Sequence, residues 1–195
     1  MEDLTPFKKN ITQKIALSAE NMDRLIEAFK LVKVKRKQFV IQPGFVPRHR
    51  LYVLKGAFRS YVVDEKGIDH TIQLAIEDWW ISDYNSYVHQ IPATQFVEAL
   101  ENSVVFQIDH ESEHKLKTAN WELATLFRIM AERSAAYLAR RIVSNLTQNA
   151  VQRYEEFVAK YPDMAQRLPQ YAVASYLNMS REFLSKIRND KLHKK

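Results

Sequence analysis

The sequence predicts an α+β chain in three parts: an N-terminal β-roll of jelly-roll type, one long helix, and a C-terminal helix-turn-helix. Three observations carry this reading. Between Leu31 and about Asp109 apolar residues recur with a period of two, and all three glycines, Gly44, Gly56 and Gly67, fall in that stretch. From Glu111 onward glycine is absent and the apolar spacing becomes helical. Near the end, an apolar pattern around Asn178 has the spacing of two helices meeting at a tight corner. The implied division is residues 1–118 for the roll, 119–147 for the long helix and 148–195 for the helical end.

Ahead of the roll, Ile15, Leu17, Met22, Leu25, Ile26 and Phe29 stand at helical spacing, and Ser18 is placed to cap a helix opening at Ala19. Within the roll, Phe58, Ser60 and Val62 alternate with Arg59, Tyr61 and Val63. His70, Ile72, Leu74 and Ile76 alternate with Asp69, Thr71, Gln73 and Ala75, and Val104, Phe106 and Ile108 form a third run. Asp64-Glu65-Lys66-Gly67 reads as the hairpin connection between the first two, its glycine supplying positive φ. Short strands with frequent turns describe a small barrel or jelly roll.

The long helix runs from about Trp121 to Leu146, carrying Leu123, Leu126, Phe127, Met130, Tyr137, Leu138 and Ile142. At about 1.5 Å per residue it spans ~40 Å, more than the small domain around it can cover. Its apolar residues occupy more than one face, so a two-helix dimer seam is expected. A further helix, about Asn149–Lys160, is expected to stop at Tyr161-Pro162.

The composition bounds the function. The chain has 195 residues, 46% hydrophobic, enough for a real core, and no apolar run long enough to span a membrane. The polar start, Met1 to Asn10, lacks the apolar stretch of a secretion signal, and with zero cysteines there is no disulfide, thiolate zinc site or cysteine-ligated iron–sulfur cluster. A cytoplasmic protein is expected. The net charge is +6 and lopsided: residues 1–120 hold 16 basic against 16 acidic side chains, residues 121–195 hold 13 against 7. That asymmetry fits either a polyanion partner for the C-terminal part or a solvated basic tail.

The corner is more specific than the charge. Val173, Ala174, Leu177, Met179, Leu184 and Ile187 are the apolar positions, with Ala174 small where two helices cross closely. Asn178 falls at the corner, where the backbone needs φ > 0, which asparagine tolerates best after glycine. Pro169 suits the first turn of the leading helix and Ser180 the N-cap of the second. With the buried positions removed, Arg181, Glu182, Ser185, Lys186 and Arg188 remain to face outward. A recognition helix sets its N-terminal residues against base edges in the major groove. There Arg and Lys donate to guanine and Glu accepts from cytosine, so Arg181, Glu182 and Lys186 suit G·C pairs. Arg188, Lys191, Lys194 and Lys195 suit phosphates.

A β-roll, a long helix and a helix-turn-helix containing "MSREFLSKIR" resemble the Crp/Fnr transcription regulators, the cyclic-AMP receptor protein among them. "LYVLKGAFRSYVVDEKGIDHTIQLAIEDWWISD" resembles the family's sensor roll, which makes the first domain cyclic-nucleotide-binding-domain-like. "RRIVSNLTQNAVQRYEEFVAKYP" with "LPQYAVASYLNMSREFLSKIR" is similar to its shorter members, of a Bacteroidetes type. The resemblance implies a homodimer reading near-palindromic double-stranded DNA through Ser180, Arg181, Glu182, Ser185, Lys186 and Arg188. It also implies RNA polymerase and a small-molecule effector as further partners, and no cofactor or enzyme activity.

Two departures limit what carries over. Members that bind cyclic AMP hold its phosphate with a Gly-Glu pair and, about ten positions on, an Arg and a small hydroxyl residue. Here those positions read Ser82-Asp83 and Ala93-Thr94, so the phosphate would lack its cation and cyclic-nucleotide binding is not expected. Only seven residues follow Arg188, too few for the β-hairpin wing of many relatives. Trp79, Trp80, Tyr84 and Tyr87 either plug one end of the roll or line an effector pocket, with Arg59, Trp80, Asp83 and Thr94 as its candidate members. His110 and His114 have metal-like i,i+4 spacing, but Glu111 and Glu113 beside them describe a solvated helix start, so no metal is expected. No nucleophile–base pair or phosphate loop supports an enzyme. The remaining alternative is a protein-interaction or ligand-sensing chain of the same fold that does not bind DNA.

Overall fold

The computed structural model describes residues 3–192. Two helices open the chain, α1 (Thr5–Thr12) and α2 (Ala19–Glu27). Ser18 caps α2 by accepting the Asn21 N–H at 3.3 Å, as its position before Ala19 predicts. Eight strands follow: β1 (Lys30–Val34), β2 (Phe39–Ile41), β3 (His49–Lys55), β4 (Phe58–Val63), β5 (Asp69–Ala75), β6 (Trp80–Ile81), then α3 (Tyr84–His89), β7 (Phe96–Ala99) and β8 (Ser103–Asp109). They make two antiparallel four-stranded sheets, in the orders β1-β8-β3-β6 and β2-β7-β4-β5. Gly67, at φ +78°, closes the β4–β5 hairpin where the sequence places the turn.

The roll's core lies between the sheets, with Val34, Leu51, Val53, Phe58, Ile81, Val97 and Val105 buried there. The first sheet is covered on its other side too. Phe7, Ile11 and Leu25 from the first two helices, and Phe29 just after them, pack on Tyr52, Phe106 and Ile108. Phe7 meets Tyr52 and Phe106 edge-on at 4.9 and 5.4 Å between ring centroids. This explains why β8 departs from a simple in–out alternation: Val105 faces the roll interior while Phe106 and Ile108 face helices, so both sides are apolar. Along β4 the expected alternation holds, with Arg59 over the Tyr61 ring and Phe58 in the roll core; the irregularity falls on β5, where the register passes from Gln73 to Thr71 and leaves Ile72 extra.

The helical end comprises α4 (His110–Ala119), α5 (Trp121–Thr147), α6 (Ala150–Lys160), α7 (Pro162–Arg167), α8 (Gln170–Tyr176) and α9 (Arg181–Leu192). Asn120 separates α4 from α5 and caps the latter, accepting the Glu122 N–H at 2.8 Å. In its first half α5 buries Leu123, Leu126, Phe127 and Met130 against the roll. Asn149 and Gln152 form a capping box at the start of α6. Pro162 does end α6, but it also starts α7, because proline at the first helical position sacrifices no hydrogen bond. No described helix is long and apolar enough to cross a membrane.

The helical end packs directly on the roll. Ala57, Leu74 and Leu100 from the roll join Phe157, Met164, Leu168, Val173, Leu177 and Leu184 in one buried cluster. At the free edge of the second sheet, Ser175 of α8 accepts the Thr71 N–H at 2.8 Å and donates to the Asp69 carbonyl at 2.7 Å. Arg141 of α5 donates to the Thr71 and Ile72 carbonyls of the same strand.

Candidate nucleic-acid interface

The two last helices meet at a corner built from backbone hydrogen bonds. Asn178 adopts φ +53°, the left-handed conformation that its place at the corner predicts. The Met179 N–H donates to the Ala174 carbonyl at 3.0 Å and the Asn178 N–H to that of Ser175 at 3.1 Å, which together close the C-terminus of α8. Ser180 opens α9 by accepting the Phe183 N–H at 3.1 Å. Val173, Ala174, Leu177, Leu184 and Ile187 are buried between the helices and Met179 is partly covered. Pro169 stands at the N-cap of α8, one position ahead of the first turn.

At about 100° per residue, burying Leu184 and Ile187 turns Glu182, Lys186 and Asn189 outward, with Arg181 and Arg188 on one flank and Phe183 on the other. Arg181, Glu182, Phe183 and Lys186 are exposed, while Ser185 and Arg188 are half-buried. Ser185 therefore stands further back than an outward-facing residue would. Phe183, absent from the set the sequence singles out, is exposed on the opposite flank of α9. Glu182 is held below the usual carboxylate range by its own backbone N–H and then by the Ser180 hydroxyl, so it carries a full negative charge at neutral pH. Among the described residues Arg181, Lys186 and Arg188 enter no ion pair. The side chains of Lys191, Lys194 and Lys195, expected to grip phosphates, lie outside the described residues, as does His193.

Other arginines are committed to the scaffold, and sequence reading misses them because their partners are distant in the chain. Arg153 of α6 donates to the carbonyls of Leu177 at 2.9 Å, Asn178 at 3.3 Å and Gln148 at 2.6 Å. Arg167 of α7 pairs with Glu77 at 2.6 Å and Glu101 at 2.7 Å; hydrogen bonds to Glu101 and then Glu77 hold it above the usual arginine range. Arg141 adds the Tyr176 carbonyl at 3.0 Å. Tyr137 of α5 and Tyr176 share a hydroxyl–hydroxyl bond of 2.6 Å.

The four candidate effector residues do not converge. Arg59 lies on the second sheet, where it pairs with Asp69 at 2.9 Å and Glu98 at 3.1 Å and stacks on Tyr61. Burial opposes its charge, and Glu98 and Asp69 more than compensate. Asp83 is fully buried and saturated: it caps α3 at the Ser86 N–H and accepts the backbone N–H groups of Thr94 at 2.8 Å and Gln95 at 3.1 Å. Asp83 and Thr94 are thus each other's partners, closing a loop. Trp80 alone of the four lines an open cavity, together with Trp79 and Tyr84. Tyr87 is elsewhere, donating to Glu113 at 3.1 Å and packing on His110.

The architecture has solved counterparts. No protein-family model and no curated protein sequence matches the chain. Its structural neighbours are regulators of the Crp/Fnr type, and the fold is theirs. FixK2 from Bradyrhizobium japonicum superposes with a TM-score of 0.71 at 15% identity, covering 85% of each chain. The c-di-GMP responsive global regulator CLP of Xanthomonas campestris does so at 0.68 and 12%, covering 91% of this chain and 93% of that one. The Thermus thermophilus catabolite activator protein gives 0.56 at 16%, over 95% and 87%.

Proposed function

We infer that the chain is a DNA-binding transcription regulator, a homodimer that reads a near-palindromic site and acts without enzymatic chemistry. The observation that carries this reading is the face of α9. Glu182 and Lys186 project outward with Arg181 at their flank, next to a fixed corner at Asn178, and neither cation is spent on an ion pair among the described residues. Elsewhere Arg50, Arg59, Arg141, Arg153 and Arg167 are all engaged. A rigid helix with an unneutralised base-reading set is what the major groove requires. The names of the structural neighbours, a global regulator and an activator protein, point the same way.

The dimer reading rests on the second half of α5. Leu138, Ile142, Val143 and Leu146 are 41%, 60%, 57% and 80% exposed, an apolar stripe at i, i+4, i+5 and i+8. Two copies joined along it would carry two reading helices, each entering one major groove about 34 Å from the other. In this reading residues 1–118 sense, 119–147 dimerise and 148–195 read DNA.

Cyclic AMP is not the regulator in this reading. The backbone donors of Thr94 and Gln95 already serve the Asp83 carboxylate, so an incoming phosphate would meet a fixed negative charge. Selection of bound sites from random DNA by the purified protein, followed by sequencing, tests the function. A two-fold-related motif containing G·C pairs is the expected result. Recovery of unenriched DNA would overturn it in favour of a protein-interaction chain on the same fold.

A further inference from the structure

Where α5 meets α6 and α8, a cleft of about 50 Å³ opens. Arg140, Arg141 and Ser144 form its long-helix wall, and Arg153 and Lys160 of α6 stand across it. At about 100° per residue, that wall lies on the opposite side of α5 from Leu138, Ile142 and Leu146. A second helix laid along the apolar stripe would therefore leave the cleft open.

Four cations share this cleft, and among the described residues none of them enters an ion pair. Arg141 donates to the carbonyls of Thr71, Ile72 and Tyr176, and Arg153 to those of Leu177, Gln148 and Asn178. Each guanidinium thus spends three of its five N–H groups, all on neutral acceptors. Carbonyl dipoles satisfy donors but supply no countercharge. Arg140 reaches only the Tyr161 hydroxyl, at 3.4 Å, and both Arg140 and Lys160 are exposed. The one carboxylate on the wall, Glu156, accepts the Gln148 amide at 2.8 Å. Positive charge is left over.

An independent observation points to the same missing acceptor. The Nε of Arg141 is buried and has no hydrogen-bond partner. A buried donor left unmade is unfavourable, and native structures rarely tolerate one. The size of the cleft narrows the ligand. It has room for a few waters or one tetrahedral oxyanion, and is far smaller than the roughly 300 Å³ at which sites for organic ligands begin. Guanidinium and ammonium groups together recognise phosphate oxygens through short, charge-assisted bonds.

We propose that this cleft binds a single phosphate dianion, held by Arg140, Arg153 and Lys160 and by the spare Nε of Arg141. The ion would join α5 to α6 across the break at Gln148 and Asn149, and so stiffen the junction between the long helix and the helices that follow. The proposal goes beyond DNA reading, does not depend on it, and is tested without DNA.

The probe is inorganic phosphate at pH 7.5, its phosphorus NMR line width followed as the full chain is added at constant ionic strength in chloride. Saturable broadening is expected. Arg140→Gln and Lys160→Gln together, both at exposed positions, should weaken phosphate about tenfold. Glu156→Gln removes the only repelling charge and should tighten it several-fold, a gain that mere damage to the fold would not produce. Arg128→Gln, which removes a charge from the same helix outside the cleft, should change nothing, and circular dichroism should be the same for all the variants. No saturable broadening, equal weakening by Arg128→Gln, or a Glu156→Gln variant that binds no more tightly would each overturn the proposal.

Discussion

The Arg153 guanidinium donates to the Leu177 carbonyl at 2.9 Å, tying α6 to the residue at which α8 ends. The same group reaches the Asn178 carbonyl, so one side chain holds both halves of the corner. Replacing Arg153 by Met keeps much of the packing and removes the donors. About 1–3 kcal/mol of stability should be lost, the scale of a charged group's hydrogen bonds to carbonyls that are then left unpaired. Chemical denaturation of the two proteins measures it, and an unchanged midpoint would mean that water replaces Arg153 at no cost.

Asn178 at φ +53° separates backbone strain from side-chain chemistry. Asn178→Gly should leave stability within about 0.5 kcal/mol, since glycine is at ease there. Asn178→Val should cost about 1–2 kcal/mol, because a β-branched side chain clashes in the left-handed region. Thermal unfolding of both variants checks the pair.

In the proposed function the face of α9 divides into readers and grips. Arg181→Ala should lose about 1–3 kcal/mol at a selected site and relax preference at one base pair. Arg188→Ala should weaken all sequences alike and lower the salt slope by roughly one. Fluorescence anisotropy on specific and random duplexes at several salt concentrations separates the two outcomes. Equal losses on both kinds of DNA for both variants would refute the division.

Along α5, Ile142→Asp and Leu146→Asp each put a carboxylate into the uncovered stripe, where the side chains are 60% and 80% exposed in one protomer. A charge buried at a two-helix seam without a partner is strongly unfavourable. Sedimentation velocity should find a dimer for the unmodified chain and a monomer for either variant. The monomer's own fold should be intact, since neither residue touches the roll core.

Acid should loosen the helical end. Burial works to raise the Glu77 pKa, but its hydrogen bond to Arg167 and the Gly56 N–H outweigh it, and the pKa falls below its usual 4.5. A carboxylate with a depressed folded-state pKa stabilises above its unfolded value, and that contribution is lost as pH falls through the folded value. The gap in Tm between the unmodified chain and Glu77→Gln should therefore be full at neutral pH and shrink below about pH 4.5. A gap constant down to about pH 3 would show that the pair contributes nothing.

What was legible in the sequence is what local chemistry dictates. The Ser18 and Asn149 caps, the Gly67 turn, the left-handed Asn178 and the buried Leu184 and Ile187 each follow from neighbours within a few positions. The misses come from elsewhere. The bulge at Ile72 of β5 answers to a partner strand, and Pro162 starts a helix as readily as it stops one. Arg141, Arg153, Arg167 and Ser175 bind groups 24 to 106 positions away, and no spacing rule encodes those. Of the candidate effector residues, Trp80 and Asp83 are only three positions apart, yet extended chain sends successive side chains to opposite faces, so Trp80 lines the cavity while Asp83 closes the Thr94 loop.

The outer rim of β5 is normally the vulnerable flank of such a sheet, a row of backbone groups ready to recruit a foreign strand. Here the Asp69 and Thr71 groups are taken by Ser175 and Arg141, so the helical end doubles as a shield against self-association. A roll severed from its helices would bare that rim together with Leu74 and Leu100. The two halves of this chain are therefore obliged to travel together: the roll keeps its edge covered by never releasing the helices that follow it.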